Sequence, residues 1–125
     1  MKIYISGPIS DIPEAQAEAS FTEAENILVN QGHTVINPFK HCRTLQKLSW
    51  KEYMAICLPL LFKCDAIYML DGWEKSRGAR CEINNAIEAG MEVCIDKTMW
   101  RKYKHFKTST FSNNDLITHF FKEDQ

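Results

Sequence analysis

The chain has 125 residues, 45% hydrophobic and 25% charged, the proportions of one soluble globular domain able to build its core without staples. A formal net charge of −1 supplies no global field toward nucleic acid or an anionic membrane, and no run approaches the ~18 apolar residues of a membrane span. Five cysteines, Cys42, Cys57, Cys64, Cys81 and Cys94, make an odd set with no C-x-x-C pair, which argues against a zinc site or disulfide framework and for reduced thiols in a cytoplasmic protein.

The opening "MKIYISGP" breaks too soon for a signal peptide. Residues 2–6, "KIYIS", predict a first strand and "GPISDIP" a turn. Apolar positions at Ala17, Phe21, Ala24, Ile27 and Leu28 have helical spacing, so a helix is expected over 12–31. Asp11 and Glu14 fit a capping box and Gly32 a stop. "HTVIN", 33–37, is the second strand, ended by Pro38, and 39–48 reads as a polar loop without period. "SWKE" is a second capping box, and a stripe of Tyr53, Ile56, Cys57, Leu60, Leu61 and Cys64 marks a helix that Pro59 kinks or splits. "AIYML", 66–70, is the third strand, 78–89 the third helix, closed by Gly90, and "EVCI", 92–95, the fourth strand. Beyond Asp96, Lys97, Arg101, Lys102, Lys104 and Lys107 interleave with Trp100, Tyr103 and Phe106. A last amphipathic helix is expected over 112–122, with Leu116, Ile117, Phe120 and Phe121 on one face.

Strands alternating with helices predict βαβ units, right-handed crossovers and a mostly parallel sheet. Ligands of such sheets sit beyond the carboxyl ends of the strands. "SGPIS", "NPF" and "DGWEKSRGARCE" reach that edge after strands one, two and three.

Glu82 is the first candidate, because at helical spacing its neighbours are Ala79 and Ala86, which turns a carboxylate toward protein. The ordinary reading is a helix acid paired with Arg80 or Lys75. The functional one is a nucleophile on an electrophilic sugar carbon, or a stabiliser of an oxocarbenium-like cation. Ser76, Arg77 and Gly78 precede a helix start, where free N–H groups favour an anion. Gly7, with Ser6 and Ser10, offers a similar small-residue turn. Trp73, Tyr4 and Phe39 are candidates to sandwich a base, against their ordinary role as anchors. Asp71 reads as a turn residue or a pocket contact. The stretch 97–107 suggests either a groove for single-stranded nucleic acid or an amphipathic cover for the sheet. His33, His41, His105 and His119 are scattered, so no metal is expected.

The blocks "KIYISGPIS", "QGHTVINP", "SWKEYM", "CDAIYMLDGW" and "SRGARCEINNAIEAGMEV" resemble the DUF4406 branch of the nucleoside 2-deoxyribosyltransferase-like superfamily, over residues 1–95. The resemblance implies a flavodoxin-like α/β three-layer domain with a four- to five-stranded sheet. It also implies an enzyme that cleaves or exchanges the N-glycosidic bond of a nucleoside or nucleotide. The family's catalytic glutamate falls on Glu82. Ser76 falls where related nucleoside transferases have an aspartate for the 5′-hydroxyl, and related monophosphate N-glycosidases a serine for the phosphate. A hydroxyl beside Arg77 tips the substrate toward a 5′-monophosphate, which a carboxylate would repel. Ser6, Gly7 and Ile9 map near the sugar and phosphate. The family pattern also has an acid eight residues before Asp65, where this chain has Cys57. A thiol with a pKa of ~8.5 stays mostly protonated and cannot hold a leaving base or a sugar hydroxyl with a full negative charge; Glu74 and Glu52 are the nearest replacement acids in sequence.

The expected function is therefore N-glycosidic cleavage or transfer on a (deoxy)nucleoside 5′-monophosphate. Glu82 acts at C1′, Ser76, Arg77 and Gly78 hold the phosphate, Trp73 and Asp71 line the base or sugar pocket, and no cofactor is needed. The alternatives are a nucleotide binder that has lost catalysis through Cys57, and a single-strand binder through 97–107. Relatives place their sites near subunit contacts, so self-association is expected, with Phe120 and Phe121 on the packing face.

Overall fold

The computed structural model describes residues 1–42, 44–97 and 99–103. Strand β1, Lys2–Ser6, lies inside a four-stranded, all-parallel sheet of order β2-β1-β3-β4, with β2 at Thr34–Ile36, β3 at Ala66–Met69 and β4 at Glu92–Cys94. Both β1 and β3 are central, which is why they read as nearly unbroken apolar runs. The β1–β2 crossover runs one way across the sheet and the next two run the other way. Right-handed connections therefore put helix α1, Glu14–Asn30, on one face, and α3, Trp50–Leu61, with α4, Arg77–Glu88, on the other. This is a flavodoxin-like α/β domain, and its four strands meet the lower bound of the expected count. Outside β4, Arg101 makes an isolated antiparallel bridge to Val93 rather than a fifth strand among the described residues.

Several local expectations need correction. Asp11 and Glu14 form no capping box; Pro13 takes the N-cap position of α1 with no side-chain cap, and Asp11 sits at φ 68. The proline imposes the entry geometry and leaves Asp11 two positions too early. The stretch 39–48 is not structureless. Asn37 accepts a hydrogen bond from the Phe39 amide and starts a short helix, α2, at Pro38–His41, and a 3₁₀ turn follows at Leu45–Lys47. Pro59 does not split α3, because it falls in the last turn of a helix that runs to Leu61. The Ser49–Glu52 capping box forms as expected, and Gly32 and Gly90 take the left-handed φ values, 93 and 73, that end α1 and α4. The expected helix over 112–122, with Phe120 and Phe121, lies outside the described residues. No helix among the described residues is long and apolar enough to cross a membrane.

Gly7 joins the ends of the two central strands. A Cβ there would stand 2.7 Å from Leu70 Cβ, a backbone-proximal atom that cannot swing away. Gly7→Ala is expected to cost about 1–3 kcal/mol of overpacking, read as a lower midpoint in urea with an unchanged slope.

Candidate functional site

The pleat of β1 turns Tyr4 and Ser6 to the same face of the sheet, toward α4. On α4, Ala79 and Ala86 are fully buried, so Glu82 between them points inward and is itself 0% exposed. Three hydroxyls meet its carboxylate. Tyr4 Oη donates to Oε2, Ser6 Oγ donates to Oε1 at 2.7 Å, and Tyr53 Oη of α3 donates to Oε1 at 3.4 Å. Burial pushes the Glu82 pKa up to about 7, and the three hydrogen bonds hold it from going higher. The same burial, with the Glu82 charge close by, raises Tyr4 and Tyr53 well above the usual phenol range. Among the described residues Glu82 makes no ion pair: Arg80, expected as a partner, donates from Nη1 to the Glu74 carbonyl at 2.9 Å.

Cys57 is fully buried beside this cluster. Burial first, and the Glu82 charge second, push its thiol up to about 12, while the neighbouring Tyr4 and Tyr53 hydroxyls act in the opposite direction. It is a neutral group at any physiological pH.

A cavity of about 760 Å³ opens at the carboxyl edge of the sheet, within the ~300–1,000 Å³ that houses small ligands. The loop after β1 contributes Pro8, Ile9 and Asp11 to its wall, and the β3–α4 connection contributes Asp71, Ser76, Arg77 and Gly78. Ser76 caps α4, its Oγ accepting from the Ala79 amide at 3.2 Å. The Arg77 guanidinium lies 3.8 Å from the centroid of the Trp50 ring, and both line the cavity. Lys75, Arg80 and Lys97 add cations to the wall, against Asp11, Glu23 and Asp71. Asp71 pairs with Lys97 at 3.1 Å in an exposed position.

Six of the candidate site residues singled out in the sequence, Ile9, Ser10, Asp71, Ser76, Arg77 and Gly78, thus meet around one space. Ser6 and Glu82 lie behind its wall, and Gly7 serves strand packing. Trp73 does not line the cavity: it is 3% exposed, because Gly72, at φ 84, turns the chain and the indole goes inward. Phe39 packs edge-on against Phe21 of α1, with ring centroids 5.1 Å apart, so "NPF" is a core anchor. Tyr4 is not a base contact but a ligand of Glu82. Trp50 and Tyr53 are functional candidates that the sequence reading passed over. Trp50 looked like capping-box filler, and Tyr53 like one more core position in the α3 stripe.

In the basic and aromatic stretch after Asp96, Trp100 sits against Tyr68 and His33, with ring centroids 6.1 and 6.3 Å away. The described part of that stretch packs on the domain; residues 104–107 lie outside the described residues. Among the described residues, no group of three or more His, Cys, Asp or Glu is placed to hold a metal ion.

A family model described as a domain of unknown function, DUF4406, matches residues 1–95. Searches of the curated proteins and of the solved structures found no match.

Proposed function

The chain belongs to the DUF4406 family, and from that membership and the buried carboxylate we propose that it cleaves or exchanges the N-glycosidic bond of a (deoxy)nucleoside 5′-monophosphate, as a branch of the nucleoside 2-deoxyribosyltransferase-like superfamily. The observation that carries this reading is Glu82, fully buried, held by three hydroxyls, one of which belongs to a residue of the cavity wall. A carboxylate kept dry and oriented costs no reorganisation when positive charge develops at C1′. As the C1′–N bond breaks, its electron pair leaves with the base. Glu82 stabilises the cation or bonds to C1′. Water, or the nitrogen of a second base, then bonds to C1′ as any bond to Glu82 breaks, and the proton it loses balances the one the departing base takes up, giving a sugar phosphate or a new nucleotide. The phosphate fits the part of the wall built by Ser76, the first turn of α4 and Arg77, beside Tyr53, where no carboxylate stands at position 76.

The test is incubation with each nucleoside and each 5′-monophosphate, followed by chromatography for free base. Base is expected from monophosphates faster than from nucleosides. Because Glu82 must be ionised to act and its pKa is about 7, the rate is expected to rise with pH along a one-proton limb and level off above neutrality. A second reading, a nucleotide binder without catalysis, is favoured by the neutral thiol of Cys57 where the family pattern has an acid. A nucleotide-dependent rise in melting temperature with no free base would establish it. Salt-sensitive binding to a labelled oligonucleotide would instead point to residues 97–107.

A further inference from the structure

We propose that Tyr53 is the door between the cavity and Glu82: a ligand touches the carboxylate only when the Tyr53 ring has left its resting place on α4. The inference deepens the reading above, since it assumes that a ligand must meet Glu82, and it concerns a positioning residue rather than a further acid or base. Glu82 has no exposed surface and does not line the cavity, whereas Tyr53 both lines the cavity and donates to Glu82. Something must move for a sugar to reach the carboxylate, and Tyr53 is the group in the way.

The hydrogen bonds rank in the order this requires. Ser6 holds Oε1 at 2.7 Å and Tyr4 holds Oε2, but the Tyr53 bond to Oε1 is stretched to 3.4 Å, beyond the 2.5–3.0 Å of a strong O–H···O bond. Tyr53 can therefore withdraw at small cost while the other two hydroxyls keep the carboxylate aimed. Its seat is equally specific. A Cβ on Gly78 would stand 2.8 Å from Tyr53 Cε1, so the ring rests directly on the backbone of the first turn of α4. That turn is where the phosphate is proposed to bind, so a ligand arriving there presses on the ring. Arg77, next to Gly78, stacks on Trp50, which is three residues before Tyr53 on the same helix. An anion that draws Arg77 off the indole frees the part of α3 that carries the door. With the ring closed, water is kept from Glu82 until a ligand is in place.

The test labels carboxyl groups with a water-soluble carbodiimide and glycine ethyl ester, read by peptide mass spectrometry on the full chain. Exposed Glu14 and Glu18 serve as references, and thiol labelling of buried Cys94 reports global unfolding. In the wild-type chain, Glu82 is expected to stay unlabelled while the references react. Tyr53→Ala is expected to speed Glu82 labelling by about 10-fold or more, the response to a local opening that no longer has to be paid for by moving the ring. Tyr53→Phe keeps the ring and is expected to change labelling little. Gly78→Ala, which unseats the ring, is expected to act like Tyr53→Ala and to add nothing on top of it; a merely structural glycine would add its own effect. Equal Glu82 labelling in the wild-type chain and Tyr53→Ala, with Cys94 protected in both, overturns the proposal. Should Tyr53→Ala expose Cys94, Gly78→Ala decides alone: no gain in Glu82 labelling in that folded variant overturns it. No substrate is used, so a chain that shields Glu82 through Tyr53 yet releases no base rejects the glycosidase reading and leaves the door intact.

Discussion

Glu82→Gln is expected to abolish base release and, above neutral pH, to stabilise the fold. The rate falls by roughly 10³-fold or more, because an amide neither attacks C1′ nor neutralises the charge that develops there. The stability gain follows from the same burial. The carboxyl has a pKa of about 7 in the fold against an ordinary 4.5. Between those values the folded chain keeps a proton that the unfolded chain has lost. Stability therefore falls as pH rises from about 4.5 to about 7, and the full cost, about 3 kcal/mol, is present at pH 8. Glutamine never ionises and avoids that cost. It can still accept from Ser6 through Oε1 and donate from Nε2 to Tyr4, which must redirect its own proton, so part of the gain is lost. A rise in melting temperature of roughly 5–10 °C at pH 8, shrinking toward zero at pH 5, is the expected result of differential scanning calorimetry. Retained base release would remove Glu82 from the chemistry. An unchanged melting temperature at both pH values would mean that the carboxylate is not held dry. Together the two effects describe a fold that keeps a charge where only a ligand makes it useful.

That carboxylate was legible in the sequence, and its surroundings were not. The two alanines at helical spacing announced an inward-facing acid. They did not say what it meets, because the partners come from β1 and α3, and which side chains of β1 face α4 depends on strand order and pleat. Cationic partners were the local expectation, since Arg80 and Lys75 are close in sequence, but Arg80 turns to the Glu74 carbonyl and Lys75 stands before α4 begins, on the cavity wall. The strands and the helix stops were readable because period-2 and period-3.6 patterns and glycine ends are local signals. Helix α2 was not, since it depends on Phe39 finding Phe21 across the chain. The two tryptophans exchanged roles for a similar reason. Trp73 carried the suggestive position after β3, yet the left-handed Gly72 turns it inward. Trp50, at the first position of a helix, is 37% exposed and reaches the cavity.

Cys57→Asp is expected to divide the molecule's behaviour by pH. The thiol is fully buried against Tyr4, Tyr53 and Glu82, so the substitution places a second carboxyl in the same dry space. Two carboxyls there cannot both ionise cheaply, and their protons leave in two steps spread apart, the upper one above the present value for Glu82. Both folded pKa values are raised over the ordinary carboxyl range, so the penalty is absent in acid and grows as pH rises. At pH 5 the variant should melt close to the wild-type chain; at pH 8 it should lose about 3–5 kcal/mol, the scale of an unpaired buried charge. Cys57→Ser, neutral and similar in size, should show no such division, which separates charge from shape. The chemistry divides in the same place. Near pH 6 the pair still holds a proton that can pass to a departing base, and a supplied general acid is worth ~10²–10⁴-fold. If base release rises there, the thiol marks an acid this chain has lost. If the variant is folded at pH 6 and no faster, the leaving base gets its proton from elsewhere, and Cys57 only fills the space between two tyrosines.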